Sequence, residues 1–275
     1  MKNRHIAAFL AASALGLGFA QVASAADLAR KAPVAAPMVA PVYNWTGFYV
    51  GVHAGWGWNQ NDGATTFLPS AAAFGAAPFS FSNDNDGGML GAQIGVNYQV
   101  SNWVFGIEAD ASWVDWDNSV TVGPIGLFPP PGVIAGSFQT ATTDFNFFGT
   151  LRGRLGFAAN NWLLYVTGGL AWADIDHTVT TSFAATGGGV FVGTSGDTRA
   201  GWTIGGGVEW GFAPGWSLKA EYLYYDLGDT TVVATSAAFP GFASSTTFDN
   251  TGHIARVGLN YRFGWGAAGP VVARY

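Results

Sequence analysis

Nine ionisable side chains recur at alternate positions of segments whose intervening residues are apolar: Glu108, Asp110, Arg152, Arg154, Glu209, Lys219, Glu221, Arg256 and Arg262. Acids and bases placed this way can neutralise one another, line a path for ions, or move protons. Each role needs the nine on one face of a sheet, since successive strand side chains point to opposite sides. Hydrolysis would further need a Ser–His–acid group. His53, His177 and His253 are joined by no Ser/His motif, and their spacing suggests no zinc site. His53 falls on the charged face, while His177 and His253 fall at the expected extracellular rim. Asn83-Asp84-Asn85-Asp86-Gly87-Gly88 has the opening of a calcium loop without its distal Glu, so a solvated turn is expected. No catalytic residue, cofactor or metal is predicted.

The elements that must carry these charges alternate with a period of two from Trp45 onward. Val50, Val52, Ala54, Trp56 and Trp58 oppose Tyr49, Gly51, His53, Gly55 and Gly57. Leu90, Ile94, Val96 and Tyr98 oppose Gly91, Gln93, Gly95 and Asn97. Further segments set Phe105, Ile107 and Trp113 against Glu108 and Asp110, and Phe145, Phe147, Leu151, Leu155 and Phe157 against Asn146, Thr150, Arg152 and Arg154. The last four pair Leu164, Ile204, Leu218 and Val257 and their neighbours with Tyr165, Glu209, Lys219 and Arg256 and theirs. Eight strands result. Counting from the short turns puts Glu108 level with Arg154, Asp110 level with Arg152, and Lys219 and Glu221 beside Glu209.

Apolar residues oppose a face of ions and glycines, the reverse of a soluble barrel filled with grease. Trp45, Trp103, Trp162 and Trp216 recur at intervals of 58, 59 and 54 residues, three of them directly after a tight turn. Trp113 and Trp172 lie ten residues beyond Trp103 and Trp162 on the same face, a rise of about 25 Å along a tilted strand, the usual height of a lipid-facing band. These six tryptophans are expected in membrane-interface belts, where an indole buries its ring and keeps its N–H near water. Backbone groups in hydrocarbon must be satisfied internally, so spanning strands have to close into a barrel. Short turns near 100–102, 159–161 and 213–215 alternate with long loops near 60–86, 117–143, 177–198 and 228–251, which predicts periplasmic turns and termini with four long extracellular loops.

Composition agrees. Charged residues are 10% of the 275, the formal net charge is −6, and there is no cysteine. So few charges would leave a soluble surface hard to cover, and an acidic chain without a basic run argues against nucleic-acid binding. Lys2, Arg4, the apolar run 6–20 and Ala23-Ser24-Ala25 form a secretory signal peptide with cleavage after Ala25. The expected organisation is a signal peptide over 1–25, a Pro/Ala-rich periplasmic linker over 26–44, a barrel over 45–265 and a tail over 266–275.

Trp45-Thr46-Gly47-Phe48-Tyr49-Val50-Gly51, Thr150-Leu151-Arg152-Gly153-Arg154-Leu155-Gly156, Tyr165-Val166-Thr167-Gly168-Gly169-Leu170-Ala171 and Arg256-Val257-Gly258-Leu259-Asn260-Tyr261 resemble the small alphaproteobacterial outer-membrane β-barrel (porin-like) family that includes RopB. The resemblance spans essentially the whole mature chain. It implies an eight-stranded antiparallel barrel in the outer membrane, exposed at the surface, with no shared catalytic site. Members commonly end on the aromatic residue of the last strand, here Phe263, whereas this chain continues to Tyr275.

The expected function is non-enzymatic: a lumen closed by ion pairs, a lipid-facing belt, and loops for envelope integrity and surface interaction. Expected partners are outer-membrane lipids and lipopolysaccharide, the barrel-assembly machinery, and a host or surface ligand at the loops. The alternatives are a narrow porin passing small ions or solutes and, further off, a lipid-A-modifying enzyme.

Overall fold

The structure, a computed structural model, describes residues 43–68, 77–125, 137–183, 189–238 and 240–264. The expected signal peptide, nearly all of the expected linker and the expected tail lie outside the described residues. Ten strands form one antiparallel sheet: β1 (Gly47–Gln60), β2 (Asp62–Phe67), β3 (Phe79–Ser82), β4 (Asn85–Val100), β5 (Trp103–Val122), β6 (Phe138–Ala159), β7 (Trp162–Phe183), β8 (Gly189–Ala213), β9 (Trp216–Thr235) and β10 (Ala243–Phe263). Eight of them close a ring, β1-β4-β5-β6-β7-β8-β9-β10, by pairing β10 back onto β1. The short β2 pairs with β10, and β3 with β2. Gln60 faces Thr251 and Gly63 faces Phe248, so β2 continues the line of β1 with Asn61 between them. The barrel is eight-stranded, with one strand pair broken by a joint.

Side-chain exposure follows the alternation with the sense of a membrane protein. Val52, Leu90, Ile107, Trp113, Leu164, Val166, Ile204 and Val257 are exposed, whereas Tyr49, His53, Gln93, Glu108, Arg152, Lys219 and Arg256 are buried. A soluble protein buries the first set and exposes the second. Here the exposed apolar wall is continuous, and a hydrocarbon environment is what stabilises it. Ile107, four residues inside Trp103, sits in the middle of that wall. Ile107→Arg is expected to cost about 2–4 kcal/mol of folding free energy in lipid bilayers, read from denaturant unfolding in vesicles. Wild-type stability there would contradict a lipid-facing Ile107.

Three expectations are corrected. Phe145 does not face lipid: it is buried inside, and Asn146 is exposed. A bulge shifts the register of β6 against β7 between Phe145 and Phe147, and that of β5 against β6 between Trp113 and Trp116. An extra residue on one strand reverses the facing of everything beyond it. Trp45 is 1% exposed and packs inside the short-turn mouth of the barrel with Tyr43, Val104, Ala158, Leu163 and Tyr165. It precedes the first strand, so the alternation does not bind it, and the chain folds inward there. Among the described residues the long loops are mostly strand, since β5 to β10 run well past the upper aromatic belt. Their Thr- and Val-rich sequences suit a sheet with one buried face, and outward hydroxyls pair across strands: Ser119 with Thr142 at 3.1 Å, Thr121 with Thr140 at 3.0 Å, Thr231 with Thr247 at 3.1 Å.

Candidate functional site

The lumen is filled in layers. At mid-height, β5, β6, β8, β9 and β10 converge eight charges, four acids and four bases, all at most 5% exposed. Arg152 donates to Glu108 (2.5 Å), Asp110 (2.9 Å), Glu221 (3.0 Å) and the Thr150 hydroxyl (2.8 Å). Arg256 forks onto both oxygens of Asp110 at 3.0 and 2.9 Å and reaches Glu221 through Nε at 2.7 Å. Lys219 Nζ bridges the two oxygens of Glu108 at 2.9 and 3.0 Å. Arg154 pairs with Glu209, which also accepts from Ser217 and Asn260. Equal numbers of opposite charges and a nearly saturated set of hydrogen bonds are what make burial tolerable, because an unpaired ion there would cost several kcal/mol.

Register refines the expected pairings. Arg152, not Arg154, lies opposite Glu108, since β6 sits two residues further along β5 than the turn count gives; the long Arg152 side chain still reaches Asp110. Glu209 faces Lys219 as expected. Arg262 departs from the network: it donates to the Thr46 carbonyl at 3.0 Å and lies over the Tyr43 ring at 4.9 Å. It holds the inward-folded segment instead. Two tyrosines that the charge pattern left out complete the core. Tyr49 donates to Glu108 at 2.7 Å, and Tyr165 to Glu221 at 2.9 Å beneath the Arg154 guanidinium, 3.6 Å from its ring. Their place on the charged face was the available signal.

Apolar stoppers lie on both sides of the ions. On the short-turn side are Tyr43 and Trp45, whose backbone N–H donates to Gln99 Oε1 at 2.8 Å. On the other side, Trp116, Phe145, Phe148, Tyr225 and Ile254 form one cluster. Sequence reasoning missed Trp116, although it shares the parity of Glu108, Asp110 and Ser112 on β5. A second apolar cluster, around Phe191, Val232 and Phe248, fills the outer extension.

The three histidines lie in three different places. His53 faces the lumen as expected, with Nε2 2.8 Å from Ser112 Oγ and Nδ1 3.1 Å from Gln93 Oε1. The third partner is a neutral amide, and Ser112 has no exposed surface. His177 is not at the rim: it is buried inside the extension, bonded to Thr143 at 2.9 Å and stacked on Phe248. Burial lowers its pKa to about 4, so the ring is neutral. His253 is on the outer face, with Nδ1 2.7 Å from the Tyr222 hydroxyl. The run at 83–88 is not a solvated turn either, because alternation divides it. Asn83 and Asn85 are buried inside while Asp84 and Asp86 are outside. Among the described residues no group of three or more His, Cys, Asp or Glu side chains could hold a metal.

Outside the extension, aspartates stand in a collar above the upper aromatic residues. Asp117, Asp144 and Asp176 are direct cross-strand neighbours, as are Asp229 and Asp249. Burial, then Asp117 and Asp176, raises the Asp144 carboxyl above its ordinary value. A raised carboxylate binds its proton more tightly in the folded state, so this group adds stability as pH falls toward its pKa. Asp144→Asn is expected to raise stability at neutral pH by about 0.2–1 kcal/mol and to flatten the gain on mild acidification. Matched unfolding curves at two pH values check this, and a loss of stability would refute the repulsion.

Comparison with known proteins places this architecture. The family described as outer membrane protein beta-barrel domain matches residues 11–263. The 31 kDa outer-membrane immunogenic protein of Brucella melitensis biotype 1 is 34% identical over 262 residues, covering 89% of this chain and 95% of the relative. The 25 kDa outer-membrane immunogenic protein of Brucella canis is 30% identical over 240 residues, covering 83% and 92%. Among solved structures, the outer membrane protein OprG from Pseudomonas aeruginosa aligns with a TM-score of 0.47 at 15% identity, over 79% of this chain and 96% of that one.

Proposed function

Because the chain belongs to the outer membrane protein beta-barrel family, and so to the outer membrane, we propose that it is a closed, non-enzymatic wall element there, with its extension displayed outside the cell. The observation that carries this reading is the neutral set of eight buried charges held between two apolar stoppers. An ion crossing the lumen would have to break that network and pass both stoppers. The lipid-facing wall anchors the protein, the charged layer ties five strands together, and the extension presents surface. Both termini are periplasmic in this reading, since the tight turns at Ser101, Asn160 and Gly215 lie at the end where β1 begins and β10 stops.

The partners that follow are the lipids and lipopolysaccharide around the wall, the assembly machinery that inserts it, and molecules meeting the extension from outside. Two relatives are named for their immunogenicity, and an exposed extension is the counterpart proposed here. No enzymatic role follows from the Ser112–His53 contact, which has no acid at Nδ1 and no exposed face.

Planar bilayers test the closed lumen. The purified, folded protein is expected to give no steady single-channel openings in molar potassium chloride. Reproducible openings of uniform size would overturn the closed reading and establish the narrow porin.

A further inference from the structure

The ladder between β4 and β5 ends at Met89–Val114. Beyond it, side chains take over the joining. The Trp116 indole donates to the Gly87 carbonyl at 2.9 Å, Asn85 Nδ2 to the Trp116 carbonyl at 3.2 Å, and Asn118 Nδ2 to the Asp84 carbonyl at 2.6 Å. Counting on from Met89–Val114 sets Ser82 level with Thr121 and Phe81 level with Val122. No ladder forms at that height. Among the described residues β3 pairs with β2 alone, and β5 beyond Val114 pairs with β6 alone. The extension therefore carries a seam between two strand edges, closed at its base by these side-chain rungs.

Exposure agrees. Val179, Phe191, Val232 and Phe248, inward in the extension, are buried, whereas Phe79, Phe81, Val120 and Val122 at the seam are only half-buried. Phe81 and Val120 pack against that inner cluster, so the seam opens onto apolar packing. The outward positions are Ser80, Ser82, Ser119 and Thr121. An unpaired strand edge is a template for another strand, and proteins protect such edges with lysine, proline or an inward charge. Phe79–Ser82 and the 119–122 stretch carry none of these. Their backbone groups suit an extended backbone, and their alternation suits one with apolar side chains inward and polar ones outward. Charge specifies the polar side. Asp62, which accepts from Ser82 at 2.8 Å, stands exposed beside the seam with Asp84 and Asp117. Among the described residues, Arg199 is the only Lys or Arg in the extension. That field favours a cationic partner.

We propose that the seam between β3 and β5 binds an extended peptide segment of another protein by strand addition, its apolar residues turned inward and its Lys or Arg residues outward. This deepens the reading of the extension as displayed surface and rests on it for where the partner is met. Peptide binding in micelles and conductance in bilayers are separate readouts, so a failure of one is distinguishable from a failure of the other.

The test uses the full folded protein in detergent micelles and a fluorescein-labelled heptapeptide of alternating lysine and valine, read by fluorescence anisotropy. Saturable binding of one peptide per protein is expected. N-methylation of alternate residues, which removes the donors along one edge of the peptide, should weaken binding at least about tenfold. Val122→Lys, which places an inward charge in the seam, should abolish it. Should that variant fail to fold, Asp84→Asn combined with Asp117→Asn should weaken the lysine peptide about threefold or more at low salt and leave a threonine–valine peptide unchanged. No saturable binding, equal affinity for the N-methylated peptide, or full binding by folded Val122→Lys would overturn the proposal. A protein dimer that Val122→Lys dissolves would assign the edges to a second copy of the chain and overturn it as well.

Discussion

Arg152→Ala is expected to destabilise the folded barrel by about 3–5 kcal/mol, the cost of leaving a buried ionic network without one of its partners. Arg152 has no exposed side-chain surface, and its guanidinium alone joins Glu108, Asp110 and Glu221. Its removal leaves four carboxylates against Arg154, Lys219 and Arg256, with a cavity at their centre. Arg152→Lys should recover only part of the loss, because an ammonium cannot reproduce the planar fork that meets several carboxylates at once. Both apolar stoppers survive in either variant, so instability should appear without steady conductance. Urea midpoints in micelles and the temperature of the folded-to-unfolded gel shift measure the effect. A wild-type midpoint for Arg152→Ala would mean that the ions do not hold the strands together.

Trp116→Ala is the second large effect, also about 3–5 kcal/mol. The indole is fully buried, donates to the Gly87 carbonyl at 2.9 Å, and stacks parallel to Tyr225 with ring centres 6.5 Å apart. Phe145 and Phe148 enclose it at 5.7 and 6.1 Å. Space for it is made on the facing strands by Gly57 and Gly87, where any Cβ would collide with the ring. Truncation therefore removes one large side chain that no neighbour can replace, and it admits water above the charged layer. Trp116→Phe should recover much of the stability, and the shift in unfolding midpoint between the two variants checks this. Equal midpoints for Trp116→Ala and wild type would show that the outer stopper is not a packed layer.

The strand faces were legible because alternation constrains every residue inside a strand. Glu108, Asp110, Arg152, Glu221 and Arg256 could be placed together on that ground alone. What escaped lies where alternation stops or slips. Trp45 comes before the first strand. Phe145 lies beyond a bulge in a run of aromatics whose types are compatible with either face. The offset of two between β5 and β6 comes from strand tilt and stagger, which turn lengths do not encode. Trp116 was readable by carrying the β5 parity past Trp113.

The central claim is an inverted wall around a sealed polar core, and the absence of native cysteine makes thiol accessibility its most direct measurement. Three single-cysteine variants, at Val166 on the outer wall, Ser112 in the lumen and Ser101 in a turn, are reconstituted in vesicles and treated with water-soluble and lipid-soluble reagents. The account predicts that Val166→Cys reacts only with the lipid-soluble reagent, Ser101→Cys reacts readily from water, and Ser112→Cys reacts with neither until the barrel is unfolded. Modification of Ser112→Cys from water at a rate near that of Ser101→Cys, or of Val166→Cys from water at all, would contradict it.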